Sequence, residues 1–141
     1  MMSADRNVEL MRKAFKAVFS EASPETCAAL LTPDFIINLA GMPYQMRGRD
    51  AWMQNLAVMR KAFPDAQAEI EDIFGTGDRV AVRLTIRGTH TGEFVGIPAT
   101  GRTVEYTSIE HYRVSGDLIA EEWICSDMLT LMRQIGDTAP H

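Results

Sequence analysis

Cysteine is scarce in this chain: Cys27 and Cys125 are the only two, and they form no CxxC pair. The three histidines, His90, His111 and His141, are just as scattered. Neither a disulfide framework nor a metal site is written in that spacing, and a reducing cytoplasm is the expected compartment. Basic clusters are missing too. Lys and Arg number 14 against 19 Asp and Glu, a formal net charge of −5. Arg47 and Arg49 are too few and too local to make the electrostatic footprint of a nucleic-acid binder. No apolar run approaches the roughly 18–20 residues that span a bilayer. Residues 1–19 interleave charges with their apolar positions and so do not read as a secretion signal. Repeats, linkers and low-complexity stretches are also absent. What is present is 141 residues, 46% hydrophobic and 23% charged. That is enough chain to bury one core without staples. A single domain over residues 1–141 is expected, with 137–141 a frayed tail.

Two grammars divide the chain. In the first half, Val8, Met11, Phe15, Val18 and Phe19 recur at helical spacing opposite Arg12, Lys13 and Lys16, predicting an amphipathic helix that starts near residues 3–5. Ser23-Pro24 is a helix-start signal; the short helix it opens carries Cys27, Leu30 and Leu31 inward and stops before Pro33. Residues 35–39 read as a strand, broken by Gly41-Met42-Pro43, with 44–46 a possible return strand. A long helix is predicted over 49–62, its buried stripe Trp52, Leu56, Met59 and Phe63, followed by Pro64. From there the period changes to two, over 66–74, 79–90, 103–114 and 118–125, with turn chemistry at 75–78 and 115–117. Residues 91–102, rich in glycine, read as a loop. Asp127 is placed to cap a last helix over 128–135 that Gly136 ends. Helices first and a long antiparallel sheet after them mean α+β.

Four pieces in order carry a family resemblance: AFPD at 62–65, GDRVAVR at 77–83, GTHTGEFVGIPATGR at 88–102, and EEW at 121–123 with Asp127 and LMRQIG at 131–136. Together they resemble the SnoaL-like polyketide cyclases, also called ester cyclases, over residues 7–136. The resemblance implies a nuclear-transport-factor-2-like cone, in which curved antiparallel sheet wraps around two to three N-terminal helices and a short C-terminal helix closes the chain. It also implies a homodimer formed through the sheet. Characterised members close a ring in aromatic polyketide methyl esters by an intramolecular aldol reaction, without metal or cofactor, using a carboxylate in an apolar pocket as general acid/base. That carboxylate is an aspartate directly after the position of Trp123, which here is Ile124. The family's first-strand asparagine falls on Ile37, with Asn38 next to it. The partner histidine falls on Glu110 rather than His111.

Strand alternation puts Tyr106, Ser108, Glu110 and Tyr112 on one face, and Ala120, Glu122 and Ile124 on one face of the next strand. If both faces line the family's pocket, Glu110 and Glu122 lie close together, and two poorly solvated carboxyls would raise at least one pKa into the range useful for proton transfer. Against this stand two plain alternatives: the face is partly solvent-exposed, or Glu110 pairs with an arginine such as Arg60 or Arg83. The expected catalytic residues are Glu110 and Glu122. The expected substrate contacts are Asn38, Tyr44, Trp52, Tyr106, Ser108, Tyr112 and Ile124. Asp127 is weighed as a helix cap against a catalytic acid, and the cap is favoured. His90 is a pocket-rim donor or a structural hydrogen-bonder. His111 and Trp123 point to the opposite face. Phe94, Val95, Ile97 and Pro98 form a hydrophobic lid or a packing loop. The nine methionines would give a ligand cavity an adaptable wall.

Two functional readings follow. One is a cofactor-independent enzyme that moves protons next to a carbonyl in a small hydrophobic or polyketide-like molecule, by aldol cyclisation or isomerisation. The other is a binding protein that kept the pocket and, with Ile37 and Ile124 in it, lost the chemistry. A cofactor-free oxygenase is a third. No metal, nucleic acid or membrane partner is expected.

Overall fold

The computed structural model describes residues 3–136. Helix α1 (Ser3–Val18) has Asp5 in its first turn and Lys16 in its last, charges that complement the helix dipole. Met11 and Ala14 are its buried face. Helix α2 (Pro24–Ala28) begins as the sequence requires: Pro24 occupies the first turn, and Ser23 Oγ accepts from the Thr26 backbone N–H at 3.1 Å. Strand β1 (Leu31–Leu39) starts four residues before the expected 35–39 and runs through Pro33. Proline cannot donate to a ladder. The pairing of β1 with its neighbour skips between Leu31 and Ile36, and Pro33 sits inside that irregularity. The return strand β2 (Met46–Arg47) lies later than the expected 44–46 and pairs with Ile36 and Ile37.

Helix α3 (Arg49–Ala62) has the bounds its apolar stripe predicts. The long strands follow: β3 (Gln67–Thr76), β4 (Arg79–Thr89), β5 (Thr103–Ser115) and β6 (Leu118–Ser126). Their order in the sheet is β2-β1-β6-β5-β4-β3. All neighbours are antiparallel except β1 and β6, which run parallel. This is the α+β cone expected, a six-stranded sheet curved around α1 and α3. The two faces of β5 alternate cleanly from Thr103 to Tyr112: Val104, Tyr106, Ser108, Glu110 and Tyr112 are buried and the residues between them are exposed. Phe35, Ile37, Val80, Val82, Leu84, Val104 and Ile119 fill the concave side with Met11, Phe63 and Leu131.

Asp127 caps α4 (Met128–Gln134): its Oδ1 accepts from the Thr130 N–H at 3.1 Å and its Oδ2 from the Thr130 hydroxyl at 2.7 Å. Those bonds hold its carboxyl below the usual carboxylate range. Gln134 ties α4 back to β5, donating to the Glu105 carbonyl and accepting from its N–H, both at 2.8 Å. The frayed tail expected at 137–141 lies outside the described residues.

One glycine fixes where the 90–102 loop sits. The N–H groups of Thr91 and Gly92 both donate to the Ala62 carbonyl at the end of α3, at 3.1 and 3.2 Å. A Cβ on Gly92 would overlap the Lys61 carbonyl oxygen and come within 2.9 Å of its carbon. That obstacle is backbone and cannot rotate away. Gly92→Ala is therefore expected to lower stability by about 1–3 kcal/mol or more, read as a shift in the denaturant midpoint; an unchanged midpoint would show that the loop can leave α3 freely.

Candidate active site

The sheet register decides what meets inside the cone. Across the β5–β6 pair, Ser108 faces Ser126, Glu110 faces Ile124 and Tyr112 faces Glu122. Glu110 and Glu122 are therefore diagonal neighbours on the concave face, within reach of one another. They line one cavity of about 770 Å³. Its other walls come from α1 (Met11, Phe15), β1 (Phe35, Leu39), α3 (Trp52, Leu56, Met59) and the loop residues Phe94 and Val95. Such a volume suits a small organic molecule.

Both carboxyls are almost out of solvent, Glu110 7% and Glu122 4% exposed. Glu110 is held at both oxygens. Ser108 Oγ donates to Oε2 at 2.7 Å, and the Tyr112 hydroxyl donates to Oε1. Behind Ser108, the Ser126 hydroxyl lies 2.8 Å away. Burial raises the Glu110 pKa, and the bonds from Tyr112 and Ser108 pull it partly back. Burial, then repulsion from Glu110, pushes Glu122 up to about 8, with hydrogen bonding to Trp52 acting the other way. Burial and the Glu110 charge push Tyr106 up to about 12, and burial with both carboxylates pushes Tyr112 up as well.

No cation neutralises the pair among the described residues. Arg60 lines the cavity but spends its guanidinium on the carbonyls of Ala22 and Val18, at 2.7 and 2.9 Å. Arg83 stands on the opposite face of β4, in register with the exposed Ile109. The arginine pairing weighed for Glu110 is not formed. A metal would need more ligands: the described residues contain no group of three His, Cys, Asp or Glu able to hold one.

Of the expected contacts, Trp52, Tyr106, Tyr112 and Ile124 line the cavity. Ser108 lies beneath Glu110, 1% exposed and off the cavity wall. Asn38 and Tyr44 are corrections. In β1, Ile37 takes the buried position, so Asn38 points out of the cone. There it donates to Glu121 Oε2 at 3.0 Å and to the Glu122 carbonyl at 2.9 Å, and accepts from Gln45 at 2.8 Å. Tyr44 is 61% exposed in the turn before β2, away from the cavity. His90 is buried with a structural partner, its Nδ1 lying 2.9 Å from the Thr100 hydroxyl. His111 stacks on Trp123 on the convex face, with Arg79 over the indole. Phe94 packs edge-on against Phe63 and closes one side of the cavity. Sequence reasoning missed Ser126, although the alternation that marked Glu122 and Ile124 points to it two residues on.

A sequence model of the SnoaL-like polyketide cyclases matches residues 9–135. Among curated proteins, aklanonic acid methyl ester cyclase DnrD of Streptomyces peucetius is 31% identical over 98 residues, 68% of this chain and 67% of that one. Among solved structures, IdmH of Streptomyces antibioticus, a candidate polyketide cyclase, superposes with a TM-score of 0.79 at 35% identity, over 92% of this chain and 98% of that one. AclR of Streptomyces galilaeus, a candidate hydroxylase, gives a TM-score of 0.86 at 25% identity, over 98% and 85%.

The Glu122 carboxyl makes stability depend on pH in a defined sense. Its ordinary value is 4.5 and its folded value about 8. Between the two, the folded chain keeps a proton that the unfolded chain has released. The contribution is thus complete below 4.5 and is lost as pH rises through 8. Denaturant unfolding should show stability falling over that window, and Glu122→Gln should remove on the order of 5 kcal/mol of the fall. A variant with the same slope as the parent would show that Glu122 does not carry the proton.

Proposed function

This chain belongs to the SnoaL-like polyketide cyclase family, and from that premise we propose that it catalyses cofactor-independent proton transfer next to a carbonyl, an aldol-type cyclisation or isomerisation of a small hydrophobic, polyketide-like molecule. The observation that carries the proposal is the cross-strand pair Glu110–Ile124. Ile124 stands where the family resemblance expects the acid/base aspartate, and Glu110 brings a carboxyl to the same place from the facing strand.

The two carboxyls divide the work. Burial raises the Glu110 pKa, but the two hydrogen bonds it accepts pull it partly back, so of the two carboxyls it is the more readily ionised and is the base. Glu122, pushed up to about 8, keeps its proton at neutral pH and is the donor. In the first step Glu110 takes a proton from the carbon next to a carbonyl. The C–H electron pair becomes the enolate double bond, and the negative charge moves to the carbonyl oxygen, which accepts a hydrogen bond from Glu122. The enolate carbon then attacks a second carbonyl in the same molecule. The proton held by Glu110 passes to the new alkoxide, and Glu110 returns to carboxylate. The nearly dry cavity strengthens each of these bonds. Tyr106, Tyr112, Trp52 and Ile124 orient the substrate by shape.

A second reading, a binding protein without turnover, is favoured by Ile37 and Ile124 at positions that are polar in the family. Aromatic polyketide methyl esters are the probe that separates the two. Glu110→Gln should fold normally and lose about 10²–10⁴-fold in turnover, and the parent rate should fall above pH 8 as Glu122 loses its proton. Binding without turnover at every pH would favour the second reading, and an active Glu110→Gln would remove Glu110 from the mechanism.

We also assign the convex face of the sheet as a homodimer interface and place the protein in the cytoplasm. Ile109 and Phe74 are 63% and 60% exposed there, on the same face as the His111–Trp123 stack, and are the apolar side chains a second copy would cover. Ile109→Asp should halve the mass measured by analytical ultracentrifugation without changing the circular-dichroism spectrum; a parent already monomeric at high concentration rejects the interface.

A further inference from the structure

Glu110 has a hydroxyl chain behind it that the cyclisation scheme does not use. Ser108 Oγ bonds Glu110 Oε2 at 2.7 Å, and Ser126 Oγ bonds Ser108 Oγ at 2.8 Å. Each serine has one proton to give. While Glu110 is charged, the Ser108 proton is committed to Oε2, so the Ser126 proton must point at Ser108. Once Oε2 carries a proton, the whole row can reverse, with Glu110 donating to Ser108 and Ser108 donating to Ser126. These two polarities are the end states of a three-hop proton transfer that starts or ends on a water at Ser126. The geometry of the ends fits. Ser108 is 1% exposed and off the cavity wall, whereas Ser126 lines the wall. Ser126 is also flanked by Cys125 and Asp127, both exposed, at the point where β6 leaves the sheet for α4. The other Glu110 oxygen is closed by Tyr112.

We propose that Ser126 and Ser108 form a proton relay that connects the buried Glu110 carboxyl to the rim of the cavity while a ligand occupies the cavity itself. In the inward direction, water at the rim gives a proton to Ser126 as Ser126 passes its own to Ser108 and Ser108 passes its own to Oε2. Both hydroxyls are re-formed, Glu110 becomes the acid, and a hydroxide is left in bulk solvent. The outward direction reverses each hop. Ser126 and Ser108 are positioning residues in this scheme, since neither needs to touch the reacting atoms. The proposal rests on Glu110 being the working acid/base, and its test does not require turnover.

The test is infrared spectroscopy of the full-length protein in a Glu122→Gln background, which leaves Glu110 as the buried acid of the cavity. The protonated-carboxyl band, identified by its loss in Glu110→Gln, is followed after mixing into D2O. Ser126→Val should slow its hydrogen–deuterium exchange by about tenfold or more with little change in the Glu110 pKa, because the Ser108 bond is kept. Ser126→Thr, of the same shape with a hydroxyl, should restore the parent rate. Ser108→Ala should slow exchange and also raise the pKa, since it removes a bond that favours the charged form. Exchange at the parent rate in Ser126→Val, or equal slowing in the Val and Thr variants, overturns the relay. A slowed Val variant alongside an undiminished Glu110→Gln turnover would keep the relay and reject Glu110 as the catalytic base.

Discussion

Two carboxyl groups buried without a cation among the described residues are the constraint around which this molecule is arranged. Removing an ionised carboxylate from water is costly, and a protein usually answers with a partner charge or with protonation. Here the basic side chains are committed elsewhere. Arg87 bridges Glu69 and Glu105 on the convex face at 2.9 and 2.7 Å, Arg113 holds Glu121 at 3.2 Å, and Arg60 pins the end of α1 to α3 through backbone carbonyls. What remains for Glu110 and Glu122 is hydroxyls, an indole and protons. Burial raises both pKa values, that of Glu122 to about 8. Such a site is a poor arrangement for stability and a useful one for acid/base chemistry.

The curved sheet makes this possible because one strand can serve two environments. From Thr103 to Tyr112, β5 alternates exposed and buried positions without a break. The same five-residue span therefore places Ser108, Glu110 and Tyr112 in the cone while Ile109 and His111 face outward. The i, i+2 spacing that stacks same-face side chains along a strand is also what lets Ser108 and Tyr112 bond the two oxygens of Glu110. The scaffold and the site are consequently one feature. Gly92 and Asp127 do the corresponding work at the ends: the first seats the loop that brings Phe94 to the cavity, and the second turns the chain from β6 into the closing helix.

Much of this was legible in the sequence. The apolar stripe of α3 and the turn chemistry flanking the long strands fixed those elements almost to the residue, because period and punctuation agree there. Alternation grouped Glu110 with Tyr106, Ser108 and Tyr112, and Glu122 with Ala120 and Ile124, but that these faces turn inward was implied only by the family resemblance. The first strand was less legible: Pro33 looks like a boundary, and the skipped pairing between Leu31 and Ile36 that accommodates it depends on β6, 85 to 88 residues further along the chain. Asn38 was misplaced for a different reason. It is the polar neighbour of a position expected to be polar, but a one-residue step in a strand reverses the face, and the core took Ile37. The Ser108–Ser126 contact needs the β5–β6 register, and that register slips between Arg113 and Val114 near the hairpin turn. A slip of that kind is set by packing and leaves no mark in local composition.

The register also gives a physical context to Ile124, which stands where the family resemblance implies an aspartate. In an antiparallel pair, residues directly opposite present side chains to nearly the same volume. Ile124 and Glu110 are such a pair, so a carboxylate on β5 reaches nearly the same part of the cavity that one at position 124 would occupy. The two placements are not equivalent. A carboxyl on β5 inherits Ser108 and Tyr112 as same-face neighbours, whereas one at position 124 would have Glu122 and Ser126. Moving the charge across the strand boundary therefore separates it from the second carboxyl along its own strand and gives it two donors. Glu122 is left with Trp52 and the repulsion of Glu110, and its pKa moves up to about 8. The asymmetry between the proposed base and the proposed donor arises from that placement, since the two side chains are chemically identical.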